Sequence, residues 1–405
     1  MYVMYNFDEV IDRRHTNAMN TDGFRGYIFH ADETMTFPYA DEDFIRMWVA
    51  DMEFATPDVV IDGMRERLDK RIFGYTRVFE KSYYDALSEW CKRRYDWTFD
   101  RKALVMSNGI IPALYELVNY ICKPDEKVLF LTPSYAYFKY AADFNERGYM
   151  CSDLKSEDGR YHIDFDDLAG KAADEKTALF ILCNPHNPSG RVWSENELRR
   201  MAEIIENNHM WVISDEIHCD LLRRNQKHIP LGKVMPDYGR LITCMAPSKT
   251  FNLAGLQASC VIIPDQERRR RLKAQMAKVS FEGRVNALGY KAMEAAYTKC
   301  DAWLDEAIQV IWENHRTLKQ FMEERLPEIR TAKLQGTYLQ WMDLRALGWT
   351  PERQEEIMTE ADLFFDEGIL FGPEGKGFER MNLACPKSVL LDALSRLEKA
   401  VRQNA

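Results

Sequence analysis

The chain is 405 residues long, with 46% apolar, 12% aromatic and 29% charged residues, a globular mixture large enough for roughly two or three domains. Lys and Arg number 54 against 64 Asp and Glu, a formal charge of −10, which argues against nucleic acid or an anionic membrane as partner because phosphate contacts need a basic face. No apolar run approaches the roughly 18 residues of a membrane span, and the opening MYVMYNFDEV lacks the basic start and apolar core of a secretory signal, so a cytoplasmic protein is expected.

In chain order, candidate strands are Ala103–Ser107, Lys127–Thr132, Thr177–Cys183, Met210–Ser214, Arg240–Met245 and Ala258–Ile263. Each is apolar at nearly every position, as a strand covered on both faces should be. Between them lie helical patterns over Ile110–Cys122 and Ser194–Asn208, the second opening on Ser194-Glu-Asn-Glu197, a capping box. This alternation predicts an α/β fold with a mainly parallel central sheet flanked by helices. Beyond about residue 283 the pattern changes. A long helical stretch runs through Trp303, Ile308, Ile311 and Leu318, followed by a β run over Thr337–Leu344 and a helix near Pro351–Phe365. Short β runs at Ile369–Phe371 and Arg380–Ala384 come next, and Leu390, Leu394 and Leu397 mark a closing helix over Lys387–Val401. The expected organisation is a large α/β domain over 48–286 and a smaller α+β domain formed by 1–47 together with 287–405.

Nine cysteines, at 91, 122, 151, 183, 219, 244, 260, 300 and 385, form no CxxC pair, and the eight histidines form no HExxH. Buried, reduced thiols and no metal site are expected. Cys183, Cys219 and Cys244 lie beside the motifs below and read as small apolar packing.

In an open parallel sheet, reacting groups gather at the carboxyl ends of strands. Three predicted strands end in distinctive polar segments: Cys183-Asn-Pro-His-Asn-Pro-Ser-Gly190, Ser214-Asp-Glu-Ile-His218 and Ala246-Pro-Ser-Lys-Thr-Phe-Asn-Leu-Ala-Gly255. Singly, Asn184 reads as a turn former, Asp215 as a helix N-cap and Lys249 as a solvated lysine. Together they suit pyridoxal 5′-phosphate (PLP). Its aldehyde needs a lysine amine for a Schiff base, and its pyridine nitrogen needs a carboxylate to stay protonated and act as an electron sink. Asn184 supplies a donor for the 3-oxygen. Ser107-Asn-Gly-Ile110, between a strand and a helix, offers N–H groups for the phosphate, with Gly109 allowing close approach ahead of Ile110. Tyr135, in Thr132-Pro-Ser-Tyr, follows another strand and either stacks on the ring or is a half-buried structural tyrosine.

The order SNGI, TPSY, CNPHNPSG, SDEIH, APSKTFNLAGLQ and RMNLACP resembles the fold-type-I PLP-dependent enzymes of the aminotransferase superfamily. Trp48-Val-Ala-Asp-Met-Glu-Phe-Ala-Thr-Pro57, Phe73-Gly-Tyr-Thr76 and Asp215-Glu-Ile-His218 resemble, more narrowly, the MalY/PatB group of cystathionine β-lyases. The resemblance spans residues 48 to 386. It implies that Lys249 bonds the cofactor, that Asp215 pairs with the pyridinium and Asn184 contacts the 3-oxygen, and that His218 stands close by where many aminotransferases have Tyr. It implies that Arg380 clamps the substrate α-carboxylate, a task suited to a planar fork, and that Tyr75 reaches the neighbouring subunit's cofactor in a homodimer. Asn108 and Ala246 depart from the family pattern, which often has Pro and Ser there. Ser248 is then the nearest hydroxyl left for the phosphate. Arg14–Asp22 keeps part of a family stretch without its usual Lys-Trp.

The implied activity is carbon–sulfur β-elimination on cystathionine, cysteine or another S-substituted amino acid. Lys249, freed by the substrate amine, would be the base for the Cα proton. An aminotransferase needs the same residues but reprotonates the cofactor instead of expelling a thiolate. A regulatory, protein-binding role on the same fold is the third class, and intact Lys249, Asp215 and Arg380 speak against a loss of catalysis.

Overall fold

The computed structural model describes residues 5–28, 40–278 and 285–404. The chain forms two compact units, one of Thr56–Asp305 with Lys333–Thr337, the other of Met1–Ala55 with Glu306–Ala332 and Tyr338–Ala405.

The first unit is built on a seven-stranded sheet of β1 (Leu104–Ser107), β2 (Lys127–Thr132), β3 (Gly148–Asp153), β4 (Thr177–Cys183), β5 (Trp211–Asp215), β6 (Leu241–Met245) and β7 (Ser259–Ile262). The strand order is β1-β7-β6-β5-β4-β2-β3. Within it β7 runs antiparallel to both neighbours and the other six strands run parallel. The carboxyl ends of those six therefore open on one edge of the sheet. All six expected strands are present to within one residue at each end; β3 had no apolar signal, because it is an edge strand and mostly exposed or half-buried.

The helices of this unit include α1 (Lys81–Tyr95), α2 (Ile110–Ile121), α3 (Ala136–Asp143), α4 (Glu195–Asn207), α5 (Pro247–Thr250) and α6 (Gln266–Lys278). On α2 the residues Ile110, Ala113, Leu114, Leu117 and Val118 are buried, the i, i+3, i+4 stripe of a helix laid on a sheet. Each fully buried side chain of Leu or Ile size contributes about 1.5–3 kcal/mol of transfer free energy. The capping box of α4 closes as expected: Ser194 Oγ accepts from Glu197 N–H at 3.3 Å, and Glu197 Oε2 accepts from Ser194 N–H at 2.8 Å.

The second unit takes its helical part from α7 (Asp301–Arg325) beyond Asp305, and adds a sheet of β8 (Arg330–Thr331), β9 (Leu339–Asp343), β10 (Asp366–Glu367) and β11 (Phe378–Asn382). The order β8-β9-β11-β10 is antiparallel throughout. Helices α8 (Pro351–Glu360) and α9 (Lys387–Gln403) complete it, with Leu390, Leu394 and Leu397 buried. Residues 45–54 join the same unit: Ile45–Arg46 pairs with Leu363–Phe364, Asn382 N–H donates to Met47 O at 2.9 Å, and Glu53 N–H to Ala384 O at 2.8 Å. One expected strand is absent. Residues Gly368–Phe371 form a single 3-10 turn, because the chain must curl to bring Gly368 against Gly375, where an added Cβ would sit 2.1 Å from the Gly375 carbonyl oxygen.

Among the described residues no helix is long and apolar enough to cross a membrane, and no group of three or more His, Cys, Asp or Glu is arranged to hold a metal ion.

Candidate active site

Asn184 follows β4, Asp215 ends β5 and Lys249 lies in the turn after β6, three adjacent strands whose carboxyl ends share an edge. Cys183 pairs with Asp215 and Asp215 with Cys244 across the sheet, so the strands end in step. Neighbouring strands lie about 4.8 Å apart, and the fold thus gathers residues separated by 31 and 34 positions of chain.

Asp215 ends β5 and is 5% exposed. Burial pushes its carboxyl up to about 7 against the Ile217 N–H and the Lys249 charge, which both act to lower it, while the Glu216 charge raises it. The Ile217 N–H reaches Asp215 Oδ1 at 3.2 Å. Glu216, the next residue, has separate partners: it accepts from Ser214 Oγ at 2.8 Å and Leu231 N–H at 3.0 Å, and lies 2.7 Å from His228 Nε2. Successive residues at a strand end point opposite ways, which is why two adjacent carboxylates have such different surroundings. His218 sits in the turn after β5, buried at 3%.

Asn184 is fully buried. Its Oδ1 accepts from Trp193 N–H at 3.3 Å, while Nδ2 has only a long contact of 3.4 Å to Ile229 O. Trp193 thereby orients the amide so that the donor end remains for another acceptor. Nothing in the sequence pointed to Trp193 in this role.

At the end of β1, Gly109 holds φ at +141°, a conformation that side chains disfavour. Its N–H donates to Ser259 Oγ at 3.0 Å, so this amide is already engaged by β7. The first intrahelical bond of α2 runs from Ala113 N–H to Gly109 O, and Pro112 carries no N–H. Ile110 and Ile111 are left as the leading amides of α2, where the helix dipole favours an anion. Tyr135 is the half-buried N-cap of α3, just after β2, with its ring 5.0 Å from that of Tyr137. Ser248 and Lys249 are both half-buried in the single turn α5. Tyr75 stands fully exposed in a loop and is not grouped with these residues.

Arg380 belongs to the second unit. It pairs across β11 with Trp341 on one side and Asp366 on the other. Its Nη2 donates to Trp48 O at 2.9 Å and to the Asp366 carboxylate, and its guanidinium lies 4.7 Å from the Phe371 ring centroid. Burial raises the Asp366 carboxyl and the Arg380 charge opposes that rise. Asn382, two residues on, donates to Val49 O at 2.7 Å and to Asp51 O at 2.5 Å. The motifs around Trp48 and around Arg380 are thus one hydrogen-bonded piece.

The donor set in the first unit fits PLP. A buried carboxyl with one backbone N–H is better satisfied beside a cation, the Asn184 amide has a donor to give, and a lysine and a helix start lie on the same sheet edge.

Residues 42–397 match the model of the class I and II aminotransferase family. The chain belongs to that family. Cystathionine beta-lyase PatB of Bacillus subtilis is 38% identical over 361 residues, covering 89% of this chain and 93% of PatB. Among solved structures, the PLP-bound C-S lyase of Staphylococcus hominis superposes with a TM-score of 0.91 at 41% identity, over 98% of each chain. Cystalysin of Treponema denticola, which contains PLP, gives a TM-score of 0.92 at 35% identity over 99% of each chain. Within the family the chain falls in the MalY/PatB group of C–S lyases.

Proposed function

We propose that the chain is a PLP-dependent carbon–sulfur β-lyase that converts cystathionine or a related S-substituted cysteine, with water, to a thiol, pyruvate and ammonia. The observation that carries this reading is the buried Asp215 within electrostatic reach of Lys249, on adjoining strand ends, in a chain 38% identical to PatB.

Lys249 would hold the cofactor aldehyde, Asp215 its ring nitrogen and Asn184 its 3-oxygen, and Ile110 and Ser248 would hold its phosphate, with Gly109 allowing its close approach. Tyr135 and His218 would flank the ring. When bound, the cofactor supplies the electron sink that makes a carbanion at the substrate Cα attainable. The other steps fall to side chains. Arg380 binds the substrate α-carboxylate in a planar fork, already fixed by Trp48 O and Asp366. Lys249 Nζ would accept the Cα proton as general base. Asp215 would pair with the cofactor's ring nitrogen and keep it protonated. The thiolate then leaves from Cβ.

A homodimer in which Tyr75 serves the neighbouring subunit is part of the proposal. Its support is that Ile72, Phe73, Tyr75 and Phe79 are all exposed on one short stretch, more apolar surface than a loop in water carries without cover. A cytoplasmic location is supported by nine cysteines that are all free thiols, as a reducing compartment keeps them.

The test is chemical. Borohydride reduction of the PLP-loaded protein followed by peptide mapping is expected to label Lys249, and incubation with a panel of S-substituted cysteines to release thiol and pyruvate in equal amounts. A label on another lysine, or transamination without thiol release, overturns the reading.

A further inference from the structure

Lys249 sits in α5, a helix of four residues. A single turn has little stability of its own, because nucleation costs more than one hydrogen bond returns. Its orientation must come from tertiary contacts. Thr250, the next residue, is fully buried and its hydroxyl donates to Asp220 Oδ2 at 2.8 Å. Asp220 lies in the same turn as His218, five residues after Asp215. Its other oxygen accepts from Trp90 Nε1 at 2.9 Å and from the Tyr95 hydroxyl, both on α1. Trp90 in turn meets Phe251, the residue after Thr250, edge to face at a centroid distance of 5.6 Å.

This buried carboxylate therefore ties three separate pieces of chain together: α1, the turn after β5, and the lysine turn after β6. Consecutive residues of a helix are about 100° apart around its axis, so pinning the Thr250 side chain sets the direction in which Lys249 leaves. We propose that Asp220 is a positioning residue for Lys249, acting through the Thr250 hydroxyl. It rests on the reading of Lys249 as the cofactor lysine and names the group that aims it. The long lysine arm turns a small rotation of α5 into a large displacement of Nζ, and a displacement of about 1 Å at a reacting group costs on the order of 100-fold in rate.

The experiment compares wild type with Thr250→Val, which keeps the shape and removes the donor, Thr250→Ser, which restores it, and Tyr95→Phe, which takes a different donor from the same carboxylate. Two rates are read: capture of PLP by the cofactor-free protein, followed by absorbance, and steady-state turnover. Thr250→Val is expected to slow capture and lower kcat by about 10- to 100-fold with KM changed far less, and Thr250→Ser to return both rates to near wild type. Tyr95→Phe is expected to lower the melting temperature while leaving the capture rate near wild type. Unchanged rates in Thr250→Val, or a Thr250→Ser protein as slow as Thr250→Val, overturn the proposal. Borohydride labelling of the wild type separates the two levels. A label on Lys249 with unchanged Thr250→Val rates sinks the positioning role alone, whereas a label elsewhere sinks the reading beneath it as well.

Discussion

Replacing Asp215 by Asn is expected to stabilise the cofactor-free protein while destroying its activity. Burial carries the Asp215 carboxyl from an ordinary value of 3.8 to about 7. A carboxyl that binds its proton more tightly when folded contributes fully below its unfolded value, and that contribution is lost as pH rises through the folded value. Each unit between folded and unfolded values is worth about 1.4 kcal/mol, so the raised Asp215 carboxyl costs the folded state about 4 kcal/mol above pH 7, where it is ionised, and about 1–2 kcal/mol near pH 5, where folding must keep it protonated. Asn keeps the shape and the acceptor for Ile217 N–H but never ionises. Urea unfolding of cofactor-free wild type and Asp215→Asn should therefore diverge, with the advantage of the variant growing from about 1–2 kcal/mol near pH 5 to about 4 kcal/mol near pH 8. Glu367 and Glu379, both raised to about 8 with burial as the main cause, give wild type and variant the same slope, so the difference isolates Asp215. With PLP and substrate added, the variant should lose about 10²- to 10³-fold in kcat, the usual consequence of removing a charge that stabilises the transition state. A variant no more stable than wild type near pH 8, or an advantage independent of pH, would refute the reasoning.

Three further outcomes follow from single contacts. Gly109→Ala forces a side chain into φ +141° with its Cβ 3.3 Å from Pro112 Cδ, which should cost about 1–3 kcal/mol of stability and weaken PLP binding in equilibrium dialysis by moving the leading amides of α2. Ser194→Ala removes the cap of α4 and should lower urea stability by about 1 kcal/mol with kcat unchanged. Eight of the nine thiols are buried and Cys151 is half-buried, with Cys183, Cys219 and Cys244 pushed well up by burial; native protein should therefore alkylate with iodoacetamide mainly at Cys151, and at all nine once unfolded.

The central strands were legible because β1, β2, β4, β5, β6 and β7 are buried at nearly every position, and that pattern survives in one dimension. The antiparallel direction of β7 was not, since a strand covered on both faces reads the same either way. The edge strand β3 lacked an apolar run because one of its sides meets water. Asn184, Asp215 and Lys249 could be found from sequence since each lies in a polar segment at the end of such a strand. Their supports could not. Ser259 holds the Gly109 N–H across 150 residues of chain, Trp193 orients Asn184, and Asp220 reaches Thr250 only because β5 and β6 are neighbours. Long-range hydrogen bonds of this kind depend on strand order and leave no local pattern.

The most direct test of the account is the fate of the cofactor when PLP-loaded protein turns over L-cystathionine or an S-alkyl-cysteine with no 2-oxo acid present. The account predicts many equivalents of pyruvate, ammonia and thiol per site, with the cofactor remaining in its aldehyde form throughout. Turnover that stops after one equivalent, with the cofactor accumulated as the amine and activity restored only by an added 2-oxo acid, would contradict it.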